Sequence, residues 1–148
     1  MHSPKKGAAR GFTLIEILVV IGIIAILAAI VIIAINPARQ FSQANNSQRE
    51  SNVNTILNAI GQNLADNKGT FTCATGALPA AAAHIGTAGG AIVDLTCLTP
   101  TYLTAIPFDP KGGALTDTDY TVFQDATTKR ITVAAPNAEL GATISVTR

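Results

Sequence analysis

Arg10-Gly11-Phe12-Thr13-Leu14-Ile15-Glu16 opens an apolar run that continues through Ile17-Leu18-Val19-Val20-Ile21-Gly22-Ile23-Ile24-Ala25-Ile26-Leu27-Ala28-Ala29-Ile30 to Ile35. Of the 24 residues from Phe12 to Ile35, only Thr13 and Glu16 are clearly polar, and seventeen are Phe, Leu, Ile or Val. As a helix the run would measure about 36 Å, against about 30 Å for the hydrocarbon core of a bilayer. Each large apolar side chain favours insertion by roughly 0.3–0.6 kcal/mol, whereas one acidic residue at the centre costs about 3 kcal/mol and less near an end. Insertion therefore wins despite Glu16. Lys5, Lys6 and Arg10 precede the run and are expected to keep that end cytoplasmic.

Three kinds of segment have this outline. A secretory signal peptide has a shorter apolar region followed by a small-residue cleavage site. This run is longer, and Asn36-Pro37-Ala38-Arg39 is no such site. A plain signal anchor fits everything except Glu16, because an anchor gains nothing from a carboxylate just inside its apolar run. The third accounts for Glu16. A short basic leader, Gly11, Phe12, the hydroxyl residue Thr13, two aliphatics and Glu16 together resemble the processing and methylation motif of type IV prepilins.

That resemblance covers about residues 7–39 and implies specific chemistry. A prepilin peptidase would cut between Gly11 and Phe12 on the cytoplasmic side and N-methylate Phe12. Residues 1–11 would be the leader. Glu16 would then pair with the Phe12 amine of a neighbouring subunit. A buried anion needs a partner charge or it neutralises. At about 4 Å and an effective dielectric near 20, opposite charges attract by roughly 4 kcal/mol. Such a pair would set the axial register of subunits in a filament, as buried polar groups do in coiled coils.

Beyond the run, Pro37 is read as a kink rather than a helix end, because helical periodicity resumes. Ala38, Phe41 and Ala44, then Val53, Ile56, Leu57, Ile60 and Leu64, recur at helical spacing among Asn, Gln, Ser and Arg. One long helix is expected, with a membrane and assembly half over 12–36 and an amphipathic half over 37–66. Asp66-Asn67-Lys68-Gly69 is its stop signal. The head, 67–148, divides into a variable loop (67–113) and an antiparallel sheet (119–148). The loop holds both cysteines, the Ala80–Ala83 run and the Gly89-Gly90 pair, with a short helix expected around Leu95–Leu103. Pro107-Phe108-Asp109-Pro110-Lys111-Gly112-Gly113 is a turn cluster. Strands are expected at Tyr120–Gln124, Arg130–Ala134 and Thr143–Thr147. Their buried face is drawn from Val122, Ile131, Val133, Ile144 and Val146. The expected fold class is α+β: a long N-terminal helix packed on a small antiparallel meander, the pilin-like layout.

Cys73 and Cys97 are the two cysteines. They lack CxxC spacing and a histidine ladder, which argues against a zinc site. On the exported side of a membrane one disulfide is expected, with two buried free thiols as the alternative.

The sequence offers little for catalysis. The 148 residues include no P-loop, nucleophile elbow or dinucleotide fingerprint. His2 lies in the leader and His84 in an Ala/Gly-rich segment, where a lone histidine is ordinarily solvated. Asp109, Asp117, Asp119 and Asp125 form an acidic patch along the chain. Some pseudopilins hold calcium in a comparable loop, but Lys111 interrupts that pattern, so no metal or other cofactor is expected and calcium stays as a minor alternative. Without Lys5, Lys6 and Arg10, seven basic residues face nine acidic ones, which leaves no general basic surface for nucleic acid.

The sequence is thus read as a non-enzymatic structural subunit of a type IV pilus or pseudopilus filament. The implied partners are other copies of itself, prepilin peptidase, a membrane assembly platform and, before assembly, membrane lipid. It would start as a single-pass protein of the cytoplasmic membrane and end in an extracellular pilus or envelope pseudopilus. The alternative is a monomeric binding or adhesin module on an uncleaved signal anchor.

Overall fold

A computed structural model describes residues 11–89 and 92–148. The basic leader residues Lys5, Lys6 and Arg10, and Gly90 of the Gly-Gly pair, lie outside the described residues. The chain forms two compact units, Met1–Gln40 and Phe41–Arg148.

Helix α1, Leu14–Ile35, is the apolar run. Thr13 is its N-cap, in extended conformation, and none of the helix residues is buried. The expected single helix is interrupted, and the break falls at Asn36 instead of as a kink at Pro37. Asn36 closes α1 in the left-handed conformation (φ 45°), which asparagine tolerates better than most residues. The same residue opens helix α2, Pro37–Asp66. Its side-chain Oδ1 accepts from Arg39 N–H at 3.3 Å and its carbonyl from the same N–H at 3.1 Å. Pro37 then occupies the first helical position, where its missing N–H leaves no helical bond unmade.

The buried residues of α2 are Arg49, Asn52, Val53, Ile56, Leu57, Ala59, Ile60 and Asn63, one stripe at helical spacing. The helix ends at Asp66, where Lys68 and Gly69 take positive φ and Gly69 N–H donates to the Leu64 carbonyl at 2.8 Å. The stop signal of the sequence is this left-handed C-terminal cap.

The sheet has five strands: β1, Ala83–Ile85; β2, Ile92–Val93; β3, Thr121–Gln124; β4, Ile131–Ala135; and β5, Ile144–Thr147. Their spatial order is β2-β1-β3-β4-β5. β3, β4 and β5 are the expected antiparallel meander, within a residue of the expected bounds, and Val122 pairs with Val133, which pairs with Val146. Val122, Ile131, Val133 and Ile144 are buried, and Val146 packs half-buried against them.

Two features correct the sequence reading. The segment read as loop supplies β1 and β2, which pair in parallel, so the sheet is mixed. Strands of three and two residues are too short to show alternation. The short helix expected around Leu95–Leu103 is one 3₁₀ turn, Thr96–Leu98. Its Leu98, with Leu95, Leu103 and Ile106, fills the core beside Val53, Ile56 and Ile60 of α2.

Cys73 and Cys97 form a disulfide, with Cα atoms 5.5 Å apart and 24 residues of separation. Replacing both by serine is expected to lower the unfolding free energy by about 3–4 kcal/mol in the chain-entropy treatment. A urea titration of the full chain in detergent micelles measures it, and an unchanged midpoint would contradict a stapling role.

Candidate functional site

At the N-terminal site, Gly11, Phe12 and Thr13 precede α1 outside regular structure. Phe12 is 85% exposed. Glu16 sits in the first turn as the N3 residue of a reciprocal capping box. Its Oε2 accepts from Thr13 N–H and from the Thr13 hydroxyl, each at 2.7 Å. Thr13 Oγ1 in turn accepts from Glu16 N–H at 3.3 Å. A capping box satisfies amides that a helix start leaves orphaned. It also halts the helix at Leu14, so the Gly11-Phe12 peptide stays outside it. Two residue types that read as polar exceptions in an apolar run are thus one local device. Oε1 accepts none of these bonds.

In the head, the sequence reading missed the best-built polar cluster. Arg49 is fully buried and grips Asp109 with two parallel bonds, Nε to Oδ2 at 2.5 Å and Nη2 to Oδ1 at 3.0 Å. Its Nη1 donates to Glu139 Oε2 and Asn46 Oδ1, both at 2.9 Å. Glu139 also accepts from Lys111 Nζ at 2.9 Å, Asn45 Nδ2 at 3.0 Å and Ser42 Oγ at 3.2 Å. Asn52 donates to the Tyr120 hydroxyl and the Phe108 carbonyl. Among the described residues no buried side-chain nitrogen or oxygen lacks a partner. Within this unit the network joins α2 to the turn at 107–113 and to the β4–β5 connection. Gly113 is required here: a Cβ on it would lie 2.5 Å from Asp109 N and 2.7 Å from Thr118 O. The signal was in the sequence, since Arg49 precedes Val53 by four residues and Ile56 by seven and so shares the buried stripe of α2.

The electrostatics follow from the contacts. Lys111, then Asn45 and Arg49, hold the Glu139 carboxyl at about 2, from an ordinary 4.5. Burial pushes Asp109 up, but the Arg49 fork and the Lys111 N–H outweigh it and leave it below its ordinary value. Bonding to Asp109 raises Arg49.

The acidic patch expected around the turn does not converge. Asp109 belongs to Arg49, and Asp125 caps the β3–β4 hairpin by accepting from Thr127 and Thr128 N–H at 2.9 and 2.7 Å. Only Asp117 and Asp119 come together, and they do so beside His84. His84 is therefore not isolated: it lies on β1 with Nδ1 3.0 Å from Asp117 Oδ1. Lys129, with φ 60°, closes the β3–β4 connection by donating its N–H to the Asp125 carbonyl at 2.9 Å.

Residues 6–35 match the prokaryotic N-terminal methylation motif. The segment thus carries the mark of type IV prepilins, and its apolar helix fits membrane anchoring. The match takes in 30 of the 148 residues and ends with α1. No curated protein and no solved structure matches the chain.

The ion network sets an acid limit on the head. Both carboxyls are lowered on folding, so their contribution is full above the ordinary carboxyl value. It is lost as pH falls from about 4.5 toward 2. The melting temperature is expected to drop across that window, and Glu139→Gln to melt lower at pH 7 with a shallower acid loss. Arg49→Met, which leaves Asp109 buried and unpaired, is expected to cost about 3–5 kcal/mol at neutral pH. Circular dichroism melts at a series of pH values measure all three.

Proposed function

We propose that the chain is the structural subunit of a type IV pilus or pilus-like filament, matured by prepilin peptidase at Gly11-Phe12 and polymerised through α1. The observation that carries this reading is Glu16: the one ionisable side chain of α1, at the fifth position counted from Phe12, inside the matched motif.

The chemistry runs as follows. While the Gly11-Phe12 peptide is intact, the Phe12 nitrogen is an uncharged amide. Hydrolysis puts a carboxylate on Gly11, which leaves with the leader, and a protonatable amine on Phe12. Methylation keeps that amine cationic. Glu16 then has a complementary charge within the same apolar layer, on a neighbouring subunit. The capping box supports this role because both Thr13 bonds go to Oε2, which leaves Oε1 to accept from the incoming cation. In lipid the pairing replaces a costly isolated carboxylate with a partnered one. The Phe41–Arg148 unit would form the filament's outer part, with Cys73–Cys97 closing part of its variable segment. Before assembly the subunit is a single-pass protein of the cytoplasmic membrane, its leader facing the cytoplasm. A membrane assembly platform is the machinery that would add it to the filament.

Glu16→Ala is expected to insert and be cut normally but to assemble poorly. Filament mass in sheared surface and envelope fractions, seen by electron microscopy, is the readout. Glu16→Asp should recover part of the yield. Wild-type yield from Glu16→Ala would rule out the ion-pair mechanism.

A further inference from the structure

The head carries a second cluster of charged side chains, separate from the Arg49 network. His84 projects from β1 and Asp117 from the segment leading into β3. His84 Nδ1 lies 3.0 and 3.1 Å from the two Asp117 oxygens. Asp119 brings a second carboxylate, so that one ligand atom from each residue lies within 4.8 Å of the others. Asp119 holds a left-handed φ of 61° and donates its N–H to Asp117 Oδ1 at 3.0 Å.

An ordinary surface His–Asp pair would need only the first two groups, and such pairs contribute little. Asp119 is the unexplained member. Among the described residues its carboxylate accepts no hydrogen bond and meets no cation, and Lys111 is committed to Glu139 at 2.9 Å. Asp117 is answered by the His84 ring and by Asp119 N–H, whereas the Asp119 carboxylate beside it has no such partner among the described residues.

The backbone beneath them is fixed. Thr118 N–H and its hydroxyl both donate to the Ile85 carbonyl at 2.8 Å, and Ile85 N–H donates to the Tyr120 carbonyl at 2.8 Å. Thr118, Ile85 and Tyr120 are fully buried. Each of the three donor residues is thus flanked by a core residue, which holds the donors close together before any ligand arrives.

The geometry points to a binding site for a divalent cation of the zinc type at His84, Asp117 and Asp119. One imidazole nitrogen and two carboxylate oxygens are a donor set that zinc accepts, at about 2.0–2.2 Å, with water completing the coordination. Ligands around one such ion stand roughly 3.3 Å apart, close to the 3.0 Å between His84 Nδ1 and Asp117 Oδ1, and an Asp119 oxygen already lies within 4.8 Å of the other two ligand atoms. Calcium takes six to eight oxygen ligands and gains little from an imidazole. Bound, the ion would tie β1 to the strand that follows it in space, β3, and offset both carboxylates. This proposal concerns the head alone and does not depend on filament assembly.

The test uses the full chain in detergent micelles, in a His2→Gln background, since His2 is the only other imidazole. Zinc chloride is titrated calorimetrically, with melting temperature followed in parallel. One saturable zinc per chain is expected, with a rising melting temperature. His84→Gln and Asp119→Asn should each abolish both signals while keeping the metal-free melt of the parent. Millimolar calcium should not displace the zinc. The proposal is overturned by no saturable uptake, by uptake that survives either substitution, or by displacement by calcium.

Discussion

None of the side chains from Leu14 to Ile35 is buried, and mean hydropathy over an 18-residue stretch of that helix is 3.5. Apolar surface on this scale cannot remain in water. Its cover must come from lipid or from other chains. The constraint explains why the helix is apolar on every side instead of along one stripe, as a helix serving its own core would be. It also makes Glu16 conspicuous. A carboxylate tolerated near the end of a membrane segment needs a reason to be kept, and the capping box supplies only part of one. Thr13 alone can cap a helix, and a glutamine at N3 can complete the box. A charge at position 16 is what the proposed pairing with a cation would add.

The head solves a different problem. Its aliphatic content is modest, and Arg49, Asp109 and Asn52 are buried where a larger domain would place hydrocarbon. Replacing such an ion network by apolar side chains of similar volume can be neutral or better for stability, while removing one member is costly. Its value here lies in geometry. A bidentate guanidinium fixes the direction as well as the distance of its carboxylate. The turn at 107–113 and the β4–β5 connection are both long enough to wander, and both end on Arg49. The disulfide does the corresponding task for the segment between α2 and the 3₁₀ turn.

What the sequence disclosed follows the range of the interactions. The apolar helix, the cap at Gly69 and strands β3 to β5 rest on neighbours within a few residues, so period and turn chemistry revealed them. The capping box is equally local, Thr13 followed three residues later by Glu16, but the two were read as polar exceptions in an apolar run and not as a pair. Strands β1 and β2 were hidden because Ala83–Ile85 and Ile92–Val93 become strands only by pairing with each other and with Thr121 and Val122. The Arg49–Asp109 pair spans 60 residues, and His84 meets Asp117 across 33. No local pattern encodes such distances, so four aspartates near one another in sequence looked like one patch and proved to serve three purposes. At Asn36 the local signal was present and misassigned: Pro37 drew attention as a helix breaker, whereas the residue before it adopts the left-handed turn.

The role given to Glu16 requires a new cation at Phe12, and that cation can be weighed directly. Mass spectrometry of the amino-terminal peptide, from protein recovered in the membrane and in sheared fractions of its native host, reports where the mature chain begins. A terminus at Phe12 carrying one added methyl group is the expected result. A mature pool that retains Met1, with the Gly11-Phe12 bond intact, would contradict it and identify the apolar helix as an uncleaved anchor.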